Sequence, residues 1–403
     1  MASRICYLST GIMDTAFDSQ VLPILAAAPQ RGFRLFHISF DPFNRKLTER
    51  YIEKKKELNS IGTESFYIRQ LPPISRSSLF IDERRILSPF YHWWGKKEKV
   101  VIHCRGHLNS FRGLFLKKRN PELIYIIADL RGAISDEVLY GQGGMVRNFA
   151  MNYLRNFYQG VEDQVVHKAD KILCVSYAFE KFLQANYRVN NISIVPTFVD
   201  TSLFNFSRSV RELFRKKLGI SNRIVLVYSG GVAPWQRVSD VIKLFVGMRQ
   251  MIENLFMLFL THEPSIIHKM LKSKIEPRDV QVIKVPHGEV PGYLCAADVG
   301  VLLREDTLTN NVAAPIKFHE YMCCGLPCII SENIGDTAKL LKNGHAGIII
   351  DSKRGLPTLD EFRNLLSLNR EEISMVMGQK FSSQIYLSEI FKLYRAFGGS
   401  EIS

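Results

Sequence analysis

Short apolar runs recur along this chain, each closed by a glycine or a polar residue. In the first half they read "RICYLST", "FRLFHISF", "FYIRQLP", "KVVIHCRG", "LIYIIADLRG" and "DKILCVS". Amphipathic or polar stretches separate them, beginning with the helix-periodic "FDSQVLPILAAAPQRG". Runs with no polar face predict strands buried on both sides. Their alternation with helices predicts a parallel sheet covered on both faces.

The pattern restarts at "NRIVLVYSGG" and continues through "LFMLFLTH", "VQVIKVPH", "VGVLLRE", "PCIISE" and "AGIII", with helices between. The fold class expected is therefore α/β, with two doubly wound Rossmann-like domains facing across a cleft. The boundaries fall at 1–205 for the first domain and 206–378 for the second. Residues 379–403 are left to a final helix, roughly 379–397, that packs outside the second sheet or crosses back to the first. In doubly wound domains ligands lie beyond the carboxyl ends of the strands. The turns there, at Gly11 in the first domain and Gly230 and Gly231 in the second, would offer backbone N–H groups to phosphate.

Length supports two domains, since 403 residues exceed one ordinary core. No apolar run approaches the ~20 residues that span a bilayer, and the first residues lack the apolar core of a secretory signal. A cytoplasmic protein is expected. Seven scattered cysteines in apolar strings read as reduced, packed thiols, and no metal site is expected. The net charge of +14 is uneven: residues 1–200 carry 28 Lys and Arg against 19 Asp and Glu. Such an excess favours an anionic partner. Nucleic acid is not expected, because no helix-turn-helix, zinc or basic-aromatic repeat is present. "SRSSLFIDERRILSPFYHWWGKKEK" mixes aromatics with cations, which suits either an anionic membrane surface or an excursion whose aromatics fold inward.

One stretch asks for more than packing: "NNVAAPIKFHEYMCCGLPCIISENIGD", residues 310–336. Pro315 opens a helix, where its missing N–H costs nothing. Lys317 in the first turn opposes the helix dipole unless an anion is present. Glu320, three residues on, shares its face. A cation and helix-end amides at Pro315 and Ile316, beside a carboxylate, suit a diphosphate joined to a diol, as in a nucleotide. The same spacing also describes an ordinary ion pair on a solvated helix.

This segment resembles the donor-binding region of family 4 glycosyltransferases, retaining enzymes of the two-domain GT-B architecture. "HGEVPGYLCAADVGVLLRED" before it, and "HKADKILCVSYAFEKFL" with "IVPTFVDTSLF" in the first half, are similar to other stretches of that family in the right order. The resemblance implies transfer of a sugar from a nucleotide-sugar substrate to a glycan or lipid-linked acceptor, without metal or other cofactor. It places the work in cell-surface polysaccharide or glycolipid synthesis, with the protein peripheral at the inner membrane face. By position Glu320 would accept from the ribose hydroxyls, Lys317 would hold the diphosphate, and His287 would lie near the base.

The pattern also departs from the family. Its frequent first glutamate falls at Val312, with Asn311 a nearby neutral substitute. Gly231 stands where the family offers an arginine, leaving Arg237 and Arg304 as the charges for diphosphate. Where the family often has a histidine in the first domain, this chain has Asp129 and Arg131, and Arg105 repeats the theme one strand earlier. These three are the candidates for the catalytic side, either holding phosphate or forming a salt bridge between loops. No general base is required if the leaving phosphate deprotonates the acceptor on the same face; Asp129 is the reserve. A sugar-nucleotide epimerase or a non-catalytic GT-B partner subunit remain as alternatives.

Overall fold

In the computed structural model the described residues are 3–12, 16–42, 45–95, 98–138, 145–272, 274–344, 346–350 and 355–398. Lys96 and Lys97 of the basic run considered above lie outside them. The chain divides into two units: Met1–Pro196 together with Gln384–Ser403, and Thr197–Ser383.

The first unit holds strands β1 (Arg4–Ser9), β2 (Arg34–Pro42), β3 (Glu64–Gln70), β4 (Val100–Arg105), β5 (Ile124–Asp129), β6 (Lys171–Cys174) and β7 (Ile192–Ile194). They form one parallel sheet in the order β3-β2-β1-β4-β5-β6-β7. The second unit holds β8 (Ile224–Ser229), β9 (Leu255–Leu260), β10 (Val280–Ile283), β11 (Val299–Leu302), β12 (Cys328–Ser331) and β13 (Gly347–Ile350). Their order is β10-β9-β8-β11-β12-β13, again all parallel. Both are doubly wound Rossmann-like sheets. The winding reverses between β1 and β4 in one and between β8 and β11 in the other, and ligands of such folds sit at that reversal.

The second sheet is buried on both faces, which is why its strands read as unbroken apolar runs. One face packs Phe318, Tyr321 and Met322 of helix Ile316–Cys323 with Leu294. The other packs Val241, Leu244, Phe245 and Met248 of helix Val238–Arg249. Gly300 in β11 lets helix Ile316–Cys323 come close, since a Cβ there would lie 2.5 Å from the Tyr321 ring. Behind that helix Gly325 takes φ 64°, the left-handed position that ends a helix without a Cβ penalty. Three guanidiniums, of Arg211, Arg215 and Arg370, reach the last carbonyls of helix Val290–Ala296, satisfying orphan acceptors where the macrodipole is negative.

The expected final helix is two pieces. Helix Arg370–Phe381 stops because Ser382 is extended, and a second helix runs Ser383–Gly398. Phe391 of this last helix stacks on Phe33 at 5.4 Å and Phe397 on Tyr125 at 3.7 Å. Its Tyr394 hydroxyl bonds His103 Nδ1 at 2.8 Å. All three partners belong to the first unit.

The aromatic-basic run at 75–99 is a regular helix over Arg76–Trp94, N-capped by Ser75, whose hydroxyl accepts from the Ser78 N–H at 3.2 Å. Phe90, Trp93 and Trp94 point inward, and Trp93 stacks on Phe36 at 5.2 Å. Of the large apolar side chains on this helix, Phe80 and Ile81 are exposed, at 46% and 41%. The tryptophans are therefore core residues. No helix among the described residues is long and apolar enough to cross a membrane.

Candidate nucleotide-sugar site

Helix Ile316–Cys323 carries the central group. Glu320 is 1% exposed, yet both of its oxygens are engaged: Lys317 Nζ donates to Oε2 at 2.9 Å and His287 Nε2 to Oε1 at 3.1 Å. Burial pushes its pKa up, but the Lys317 charge and the His287 contact outweigh that and hold the carboxyl below its usual value. Because Nε2 of His287 faces a carboxylate, that nitrogen carries the proton. The lysine and histidine, 21% and 24% exposed, roof a buried anion. The ion pair at this spacing exists, then, but on a buried face rather than a solvated one. His287 sits in the short turn after β10, its ring 5.2 Å from Phe204.

The helix begins without a side-chain cap. Pro315 occupies the capping position itself, with extended ψ of 119°, rather than the first helical turn. The opening amides of Ile316 and Lys317 thus lack an intrahelical acceptor, as helix geometry dictates, and face the same end as the Lys317 ammonium. Tyr321 ties this helix to the sheet, its hydroxyl accepting from the Ser229 N–H at 2.6 Å. Ser229 ends β8, directly before Gly230 and Gly231.

The glycine turn is partly spent on internal bonds. Gly230 donates to the Leu260 carbonyl at 3.0 Å, and Val232 donates to Glu263 Oε2 at 3.1 Å. Arg237, at φ 45°, pairs with Asp240 at 2.6 Å. Arg304, just past β11 at the reversal of winding, differs. Its backbone N–H bonds Ser331 Oγ at 2.8 Å, while its half-buried guanidinium has no ion pair among the described residues. Burial lowers its pKa, with Tyr228 and Tyr321 nearby acting the other way. A cavity of about 450 Å³ opens beside it, bounded by Arg237, Asp240, Lys243, Arg304, Asp306 and Glu332. Asn311 donates to Asp306 at 3.0 Å, and Val312 is 2% exposed, a core residue.

In the first unit Asp129 ends β5 and is 3% exposed. Arg131 meets it at 3.2 Å, Arg105 at 3.4 Å and His103 at 3.5 Å. Burial would raise its pKa, but Arg131, His103 and Arg105 hold it well below the carboxylate range. So charged and enclosed, Asp129 is a counter-ion and a weak base. Burial pulls Arg131 down to about 10, which leaves it cationic at neutral pH. Two guanidiniums on one carboxylate leave a net positive edge. Gly11 does not present a free amide: its N–H bonds Asp41 Oδ1 at 2.6 Å. Sequence reasoning missed Asp41 because it lies in the next strand, thirty residues away. All seven cysteines are free and buried, and no group of three candidate metal ligands occurs among the described residues.

The chain is similar over its whole length to solved structures. HepE from Anabaena, determined with UDP, with UDP and glucose and with UDP-glucose, shares 14% identity; in the UDP complex the TM-score is 0.68, covering 98% of this chain and 100% of that one. A glycosyltransferase from Rickettsia africae shares 11%, with a TM-score of 0.71 and coverage of 99% and 100%. WaaG, a glycosyltransferase involved in lipopolysaccharide biosynthesis, shares 13%, with 0.66 over 98% and 100%. At these identities the likeness establishes the fold, that of the two Rossmann-like domains of GT-B glycosyltransferases. No curated protein matches the chain in sequence. Residues 210–375, which include Arg304, Lys317 and Glu320, match the family described as glycosyl transferases group 1.

Proposed function

We propose that the protein is a retaining glycosyltransferase that moves a sugar from a nucleotide-sugar to a glycan or lipid-linked acceptor without a metal. The observation that carries this reading is the buried Glu320, roofed by Lys317 and His287 beside an uncapped helix end, inside the segment matching the glycosyl transferases group 1 family. The ribose diol replaces one roofing donor, its hydroxyls donating hydrogen bonds to the Glu320 carboxylate. Lys317 and the Ile316 and Lys317 amides take the diphosphate, and Arg304 supplies the charge absent at Gly231. In the transfer the anomeric carbon–phosphate oxygen bond breaks as the acceptor oxygen bonds the same face. The acceptor proton passes to the departing phosphate, so Asp129 need not act as a base. Arg105 and Arg131 hold an anionic part of the acceptor.

The protein works at the cytoplasmic face of a membrane, in cell-surface polysaccharide or glycolipid synthesis. Exposed Phe80 and Ile81, flanked by Arg84 and Arg85, suit that surface. A non-catalytic partner subunit is the second reading, favoured by the burial of Val312 where the family has a glutamate. The test is thermal melting with UDP, GDP, dTDP, ADP and CMP, followed by product analysis of the sugar-nucleotide whose base stabilises the fold. Sugar release or transfer supports the enzyme; tight binding with an intact donor supports the partner subunit; no stabilisation by any base overturns both.

A further inference from the structure

His319 stands one residue before Glu320 and is not needed for any contact proposed above. It is 2% exposed, and burial lowers its pKa to about 4, so the ring is neutral at physiological pH. Its Nδ1 lies 2.6 Å from the Thr197 carbonyl, which can only accept, so Nδ1 carries the single proton. The Thr197 hydroxyl, 2.9 Å from the same nitrogen, donates to the Ala314 carbonyl at 2.9 Å, just before the helix that holds Lys317 and Glu320. The other side of the ring system is stacked on Phe381, centroids 3.8 Å apart at 15°.

Thr197 and Phe381 lie at special places in the chain. The backbone leaves the first unit at Pro196 and re-enters it at Gln384. The two connecting stretches pair with each other: Val199 N–H donates to Phe381 O at 2.8 Å and Ser383 N–H to Val199 O at 2.9 Å, a single parallel bridge between Val199 and Ser382. One imidazole therefore touches the outgoing connection by a hydrogen bond and the returning one by a ring stack, while belonging to the helix of the nucleotide site.

We infer that His319 is a positioning residue that fastens both connecting stretches to the nucleotide-binding helix, so that a nucleotide held by Glu320 and Lys317 also tightens the paired connection. The coupling to nucleotide rests on the function proposed above; the fastening does not. A phenylalanine at 319 keeps the stack and loses the donor, whereas an asparagine keeps a donor near the Nδ1 position and loses the stack.

The experiment is amide hydrogen exchange at Val199 and Ser383 in wild type, His319→Phe and His319→Asn. In the free protein His319→Phe exchanges both amides about tenfold faster, the upper end of one lost hydrogen bond, while amides of β8 to β12 keep their rates. His319→Asn, which restores the donor but not the stack, falls between the two. Saturation with UDP, or with whichever of the five nucleotides stabilises the wild type, then slows both amides in wild type but not in His319→Phe, which binds that nucleotide with nearly unchanged affinity. Unchanged exchange in His319→Phe overturns the fastening, as does acceleration spread over the whole sheet with no recovery by asparagine. Equal nucleotide protection in both proteins overturns the coupling. If no nucleotide stabilises the wild type, the functional reading and the coupling fail together, and the free-protein comparison still decides the fastening.

Discussion

Glu320→Gln removes one charge and almost no volume. In the wild type two donors converge on this carboxylate, and a ribose diol would offer hydrogen bonds of the same charge-assisted kind. Each such bond is worth about 1.5–3 kcal/mol. Losing two costs ~3–6 kcal/mol, a rise in Kd of about a hundredfold to ten-thousandfold. The assay is thermal melting with the stabilising nucleotide at a hundred times its wild-type Kd, where linkage gives about 2.7 kcal/mol. At that concentration a hundredfold weaker variant retains only ~0.4 kcal/mol. The free variant is also less stable, by about 1–3 kcal/mol, because its amide must face the Lys317 ammonium. The pH dependence follows from the lowered native pKa. The carboxylate's contribution is complete above its ordinary value of 4.5 and is lost as pH falls through the lower native one, whereas the variant lacks it at every pH. A nucleotide shift in Glu320→Gln equal to that of wild type would refute the ribose role outright.

Lys317→Ala should weaken nucleoside diphosphates about tenfold or more while leaving nucleosides nearly unchanged, measured by calorimetric titration of UDP against uridine; equal losses would remove the diphosphate assignment. His37, fully buried between Ser9 and Ser65, has its pKa lowered by burial to about 3. Between that value and the ordinary 6.5 the unfolded imidazole binds a proton that the native one refuses, so stability falls with pH by about 1.4 kcal/mol per unit for this group. Denaturant unfolding from pH 6.5 to 4.5 should show a slope shallower by one proton in His37→Gln. Gly300→Ala drives a methyl into the Tyr321 ring and should cost about 1–3 kcal/mol in chemical denaturation. It should weaken nucleotide as well, since Tyr321 holds the helix of Lys317 and Glu320 to Ser229.

The sheets were legible in the sequence for a specific reason. A parallel strand covered on both faces has no polar side, so "LFMLFL" and "IYIIAD" stand out as unbroken apolar runs. The spacing of Lys317 and Glu320 was equally visible, because i,i+3 neighbours on a helix must meet. What stayed hidden depends on partners remote in sequence. Nothing near Gly11 announces that Asp41 takes its amide, and nothing near His319 points to Thr197 and Phe381. The basic run around Trp93 and Trp94 suited a membrane surface or an inward fold equally; their partners in β2 and after the helix decide for the inward one. The start of the last helix was set a few residues early, because no glycine or proline marks Ser382, where extended backbone breaks an otherwise helical pattern.

The return of helix Ser383–Gly398 to the first unit has a consequence for synthesis. His103, Phe33 and Tyr125 leave the ribosome before the second unit, but the side chains that cover them are made only after it. At about 5–20 residues per second, the intervening second unit takes roughly 10–40 s to appear. During that interval the half made first waits with an open seam, while the half made second is contiguous and can close on its own. The order of translation and the order of completion are therefore reversed, and a premature stop near residue 383 would injure the older half of the molecule rather than the newer one.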